Sequence, residues 1–126
     1  MKSVLFLAIL LSLSSAFASV SFVSPKDNEV VPTTFKVDFG VEGMTVAKAG
    51  VMTPKTGHHH LIIDGKAVPQ GQVVPKDATN IHFGDASTST SLTLKPGKHT
   101  LTLQFADGAH KSYGEEFSKT ITVEVK

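Results

Sequence analysis

The chain of 126 residues has no cysteine and no arginine. Without cysteine no disulfide framework and no thiolate nucleophile exist, so the fold must rest on its core alone. Without arginine there is no guanidinium fork to grip phosphate or carboxylate in two-point fashion. The twelve basic residues are all lysine and face eleven acids. Such a balance gives little of the counterion-release term that drives nucleic-acid binding, and no nucleic-acid partner is expected. Also missing are a Gly-x-Ser-x-Gly elbow and a phosphate-cradling glycine loop. The adjacent acids Glu115 and Glu116 point to opposite sides if extended and read as a solvated loop. The protein is therefore not expected to be an enzyme; a metal-dependent hydrolase, built on three histidines and a water, is the one chemistry left open.

Long apolar runs are absent too, apart from the first residues. Lys2, the stretch from Val4 to Leu13 and then Ser14-Ser15-Ala16-Phe17-Ala18 follow the charged, apolar and small-x-small order of a secretory signal peptide. Residues 1–18 are expected to be that signal, cleaved after Ala18, with residues 19–126 forming a single domain. The apolar segment is shorter than the ~20 residues of a membrane span. The mature form should have no transmembrane segment and should be periplasmic or secreted. Losing Lys2 leaves eleven lysines against eleven acids, a formal charge of zero.

What the chain does have is alternation. Apolar and polar residues alternate in short stretches separated by Gly, Pro, Asn and Asp, as half-buried strands do, and no segment supports an amphipathic helix. Strands are expected over Val20 to Ser24, Thr34 to Val41, His59 to Asp64, Asn80 to Gly84, Ser91 to Leu94, His99 to Ala106 and Lys119 to Val125. Residues Met44 to Lys55 read as a loop, and Ser87 to Ser91 as a loop tip. Lys95-Pro96-Gly97-Lys98 has proline and glycine where a type II turn needs them, which predicts a hairpin joining its two flanking strands. The fold class is all-β: a single immunoglobulin-like antiparallel β-sandwich of about seven strands.

The six histidines are sorted by strand parity, since successive side chains point to opposite faces. His59 shares a face with Leu61 and Ile63, and His99 with Leu101, Leu103 and Phe105. Both read as structural imidazoles, bonded to backbone or to each other. His58 and His60 take the other face, His82 is outward if Ile81 and Phe83 point in, and His110 follows the Asp107-Gly108 turn. An H-x-H pair on a strand sets two imidazoles ~7 Å apart at the backbone, close enough to lean onto one ion at ~2.0 Å from each nitrogen. His58, His60 and His82, with His110 as a fourth ligand, thus form a candidate site for copper or zinc, both at home with imidazole. Met44 and Met52 are candidate thioether ligands that would favour Cu(I). Asp64 is either a ligand, a partner that orients an imidazole, or the first residue of a turn with Gly65. Gly50, His58-x-His60, Asp64, Gly71 and Pro96-Gly97-x-His99 loosely resemble cupin motifs, but the first spacing is too long and aspartate stands in place of glutamate.

Gly57-His58-His59-His60-Leu61-Ile62-Ile63-Asp64, Ile81-His82-Phe83-Gly84, Leu94-Lys95-Pro96-Gly97-Lys98-His99-Thr100-Leu101-Thr102-Leu103 and Asp107-Gly108-Ala109-His110 together resemble the bacterial exported family known as domain of unknown function 4399. The resemblance runs from about Ser24 to Val125 and implies a small envelope protein, with no activity to carry over. The expected function is transition-metal binding through the histidine cluster, for storage, delivery or sequestration. The alternative is a metal-free structural or interaction module with a protein or glycan partner, its histidines in a hydrogen-bonded network.

Overall fold

The computed structural model describes residues 19–126; the expected signal peptide lies outside the described residues. Nine strands follow in order: β1 (Ser19–Ser24), β2 (Glu29–Val31), β3 (Thr34–Glu42), β4 (Thr45–Val46), β5 (Thr56–Ile63), β6 (Asn80–His82), β7 (Ser89–Thr93), β8 (Gly97–Ala106) and β9 (Ser118–Val125). A 3-10 turn, Glu115–Phe117, precedes β9. Among the described residues no helix is long and apolar enough to cross a membrane.

The strands form an all-β sandwich of a three-stranded sheet, β1-β3-β7, and a six-stranded sheet ordered β2-β9-β8-β5-β4, with β6 also paired to β5. Alternation makes the core. Val20 on β1, Phe35, Val37 and Phe39 on β3 and Leu92 on β7 face Leu61 and Ile63 on β5, Leu101, Leu103 and Phe105 on β8, and Ile121, Val123 and Val125 on β9. Each of the seven expected strands is present. The two further strands, β2 and β4, are only three and two residues long, too short to display a period, and both pair in parallel, β2 with β9 and β4 with β5.

Two local expectations are corrected. The Lys95–Lys98 tetrad does not close a hairpin: β7 pairs with β3 in one sheet, while β8 pairs with β5 and β9 in the other. A Pro-Gly turn reverses the chain equally well whether the flanking strands bond to each other or change sheets. Here Leu92 and Leu101 enter the core from opposite layers. Ser89, Thr90 and Ser91, expected in a loop tip, are the first residues of β7, held opposite Asp38, Val37 and Lys36.

The outward face of the six-stranded sheet is not open to solvent. Thr102, Gln104, His58 and His60 point away from the main core yet are at most 1% exposed. Two segments, residues 65–76 and 107–117, lie across them. Val68 N–H donates to Gln104 Oε1 at 3.0 Å, Gln104 Nε2 donates to Gly114 O at 2.9 Å, and Ser112 Oγ donates to Val68 O at 2.7 Å. Backbone bonds from Gly71 to Ser112 O and from Val74 to His110 O tie the two segments together.

Candidate metal centre

Register brings the histidines together. His60 on β5 lies directly opposite His82 on β6 in an antiparallel pair. His58 is two residues earlier on the same face of β5, opposite Ala106 at the end of β8. The chain then turns at Asp107, whose Oδ1 accepts the N–H groups of Ala109 and Lys111 at 2.8 and 3.0 Å. His110 sits at φ 64° in this turn, a left-handed conformation that histidine enters more readily than most residues. Gly108 leaves no room for a side chain against the backbone of Val51, and Gly50 N–H donates to Gly108 O at 2.8 Å, which locks the turn over β5.

The result is a four-ring cluster. One ring nitrogen each from His58, His60, His82 and His110 all lie within 4.8 Å of one another. His58 Nε2 is 3.0 Å from His60 Nε2 and 3.2 Å from His110 Nδ1. The His82 ring centroid is 4.6 Å from that of His110 and 4.9 Å from that of His58. A tetrahedron with ~2.0 Å metal–nitrogen bonds has edges of about 3.3 Å, so the two short separations are near those of a shared ion.

Hydrogen bonding alone satisfies this arrangement poorly. An imidazole nitrogen offers either one proton or one lone pair, yet His58 Nε2 faces two other nitrogens at once. His58 Nδ1, His60 Nδ1 and His82 Nε2 are buried and find no partner among the described residues. Burial pushes His58 down to about 4, helped by the nearby His82 and His110, and pushes His60 down to about 3, helped by the neighbouring histidines. His82 is lowered for the same first reason, burial, with His110 and Lys76 adding to it. At neutral pH these three rings are therefore uncharged and carry free lone pairs, the state that coordinates metal.

The other candidates fall elsewhere. His59 is fully buried on the core side, between Phe39 and Phe105 at centroid distances of 5.1 and 5.0 Å. It is structural as expected, but neither ring nitrogen has a hydrogen-bond partner among the described residues, so it packs as an apolar disc rather than bonding to backbone or to His99. Burial lowers it to about 4. His99 is at the far end of the sheet, opposite Val123 on β9, and bonds Asp64 Oδ2 and Lys95 O, each at 2.8 Å. Asp64 thus orients an imidazole, but that of His99 and not one of the cluster. The chain bends at Asp64, which has φ 55°. A cupin arrangement, which would need His99 beside His58 and His60, is excluded by this separation. Met44 packs against the main core, and Met52 is 60% exposed.

Two contributors escape a parity argument. Gly84 leaves the space that the His82 ring fills: a Cβ there would collide with Cε1 and Nε2 of that ring. Its only signal in the sequence is its place two residues after His82. The segment Val73–Lys76, with no periodicity of its own, forms a wall beside His60, His82 and His110.

Comparison with known proteins agrees with this architecture. The model of a family described as "Domain of unknown function (DUF4399)" matches residues 37–126, a span that holds all four clustered histidines. No curated protein matches the chain. Among solved structures, the X-ray structure of the endo-beta-1,4-mannanase from Thermotoga petrophila aligns over 86% of this chain with a TM-score of 0.52 and 15% identity. The alignment covers 20% of the mannanase chain, and at that identity the likeness is one of fold alone.

Proposed function

This chain belongs to the DUF4399 family, and from that premise we propose that it is an exported protein that binds one transition-metal ion, Cu(II) or Zn(II), through His58, His60, His82 and His110. Storage, delivery or sequestration of the ion is the role that such a site would serve. The observation that carries this reading is the convergence of two ring nitrogens, His60 Nε2 and His110 Nδ1, on His58 Nε2 at 3.0 and 3.2 Å, beside a His82 Nε2 that has no hydrogen-bond partner among the described residues. Lone pairs that repel one another when empty-handed become favourable when a cation sits between them, and a donor set of imidazoles suits both metals. Export is supported by the order of charged, apolar and small residues over positions 1–18.

Isothermal titration with Cu(II) and Zn(II), on the wild-type protein and on His60→Ala, tests the proposal. One equivalent should bind with Kd below ~10⁻⁵ M, and His60→Ala should weaken binding at least tenfold. Equal binding by the two proteins would sink it.

The metal-free module is favoured by one observation, that the His58–His60 and His58–His110 separations also lie within hydrogen-bond range. Its weakness is that His58 Nε2 can make only one conventional bond of the two.

A further inference from the structure

A cavity of about 310 Å³ opens directly onto the cluster, lined by His60, His82 and His110 together with Val73, Val74, Pro75 and Lys76. His58 is not among its lining residues. Three of the four imidazoles thus border open space while the fourth closes the floor. The cavity holds several times the ~30 Å³ that one water occupies in the liquid.

Charge decides what fits there. Four imidazole ligands bring no negative charge, so the full charge of a divalent ion stays uncompensated. No carboxylate lines the cavity, and Lys76 is its one formally charged wall residue. The two acids that act on the cluster electrostatically, Asp107 on His58 and Asp85 on His82, lie outside it. Each commits Oδ1 to its own turn: Asp107 accepts from Ala109 and Lys111, and Asp85 accepts from the N–H and hydroxyl of Ser87. Val73, Val74 and Pro75 supply an apolar wall that lowers the local dielectric and strengthens attraction between opposite charges. The wall is held in place, since Val74 N–H donates to His110 O at 2.9 Å and Val73 bridges to Lys111.

We infer that the metal-loaded centre takes a small monoanion, such as a carboxylate or an inorganic monoanion, as an additional ligand through this cavity, with the Lys76 ammonium pairing with it. The inference rests on the metal-binding reading above and adds an open coordination position to it. Open positions distinguish sites that exchange ligands from closed structural ones.

The test uses Cu(II)-loaded protein with azide as the probe. Elemental analysis first establishes one copper per chain. Azide should then produce a saturable ligand-to-metal charge-transfer band together with a shift in the copper electron paramagnetic resonance spectrum. Lys76→Gln should weaken azide binding about fivefold or more. Val73→Trp, at a position 60% exposed and able to accept a larger side chain, should fill the cavity mouth and suppress the band, read per bound copper. Copper that loads fully but gives no response to azide would overturn the inference and leave the metal site standing. Equal azide affinity in the wild type and both variants would also overturn it, because the anion would then be entering elsewhere. Failure of copper to load at all would defeat both this inference and the reading it rests on.

Discussion

The His82 imidazole lies against Gly84, in space that any Cβ at position 84 would occupy. The glycine holds open the room into which the ring of β6 must turn to meet His60 and His110. Gly84→Ala should therefore displace one ligand without touching the main core. We expect a drop in metal affinity of roughly 10- to 100-fold, the range for residues that set ligand orientation, with an unchanged far-ultraviolet circular dichroism spectrum. Titration calorimetry beside circular dichroism checks it. Wild-type affinity in this variant would mean that His82 is not a ligand.

Metal should stabilise the fold. An ion held only by the native arrangement raises stability by about 2.7 kcal/mol when present at a hundred times its Kd. For a domain of this size that corresponds to a rise in Tm on the order of 10 °C. The shift should appear with Cu(II) or Zn(II), vanish on adding a chelator, and be absent in a variant carrying His58→Ala and His60→Ala together. A chelator-insensitive Tm in metal-loaded protein would support the metal-free module instead.

The cluster also predicts an acid limit. His58 and His60 have folded-state values of about 4 and about 3 against an ordinary 6.5, lowered first by burial. Between those values and 6.5 the unfolded chain binds more protons than the native one, so apo-protein stability must fall as pH drops through that window. Each ring contributes a slope of up to about 1.4 kcal/mol per pH unit. Urea midpoints of the apo-protein should thus decline from pH 7 to pH 5, and His60→Gln should flatten the decline. Bound metal should leave over the same range, because protons compete for the same lone pairs. A midpoint that is constant from pH 7 to pH 5 would contradict the burial of these rings.

Strand parity was enough to bring His58, His60 and His82 to one face and to send His59 to the core, because a period of two leaves no freedom once Leu61 and Ile63 are inward; His110 comes to them from the turn at Asp107, which has no period to read. What parity could not foresee is that the face bearing His58 and His60 is itself buried. Residues 65–76 and 107–117 cover it through single backbone and side-chain bonds, such as Val68 to Gln104, which leave no periodic trace. The hairpin expected at Pro96-Gly97 failed for a related reason: turn chemistry is local, whereas the choice of sheet is made by distant partners, Phe35 for Leu92 and Ile63 for Leu101. Likewise His99 shares its parity with Leu101, yet at the strand's end it turns to a carboxylate rather than into the core.

That last pair gives a pH response of opposite sign. His99 faces two acceptors, Asp64 Oδ2 and Lys95 O, so both of its ring nitrogens donate only when the ring is charged. Its pKa is accordingly raised, first by the Asp64 bond and then by the Lys95 carbonyl. A raised folded value means that the contribution is fully present below the unfolded 6.5 and is lost as pH climbs through the folded value. Asp64 also accepts Thr100 N–H at 2.9 Å, fixing the start of the β5–β8 pairing. Asp64→Asn should cost about 1 kcal/mol at most at pH 6, because the carboxylate is half-exposed and solvent screens it. The cost should shrink as pH rises through the raised His99 value. Because Asp64 is four residues beyond His60, on the order of 13 Å along an extended chain, metal affinity should stay at the wild-type value. Denaturation at pH 6 and pH 8.5, beside a copper titration, reads both effects. A stability loss that grows with pH would contradict the raised His99 value, and a copper affinity lowered by Asp64→Asn would show that the His99 pair and the histidine cluster are coupled rather than separate.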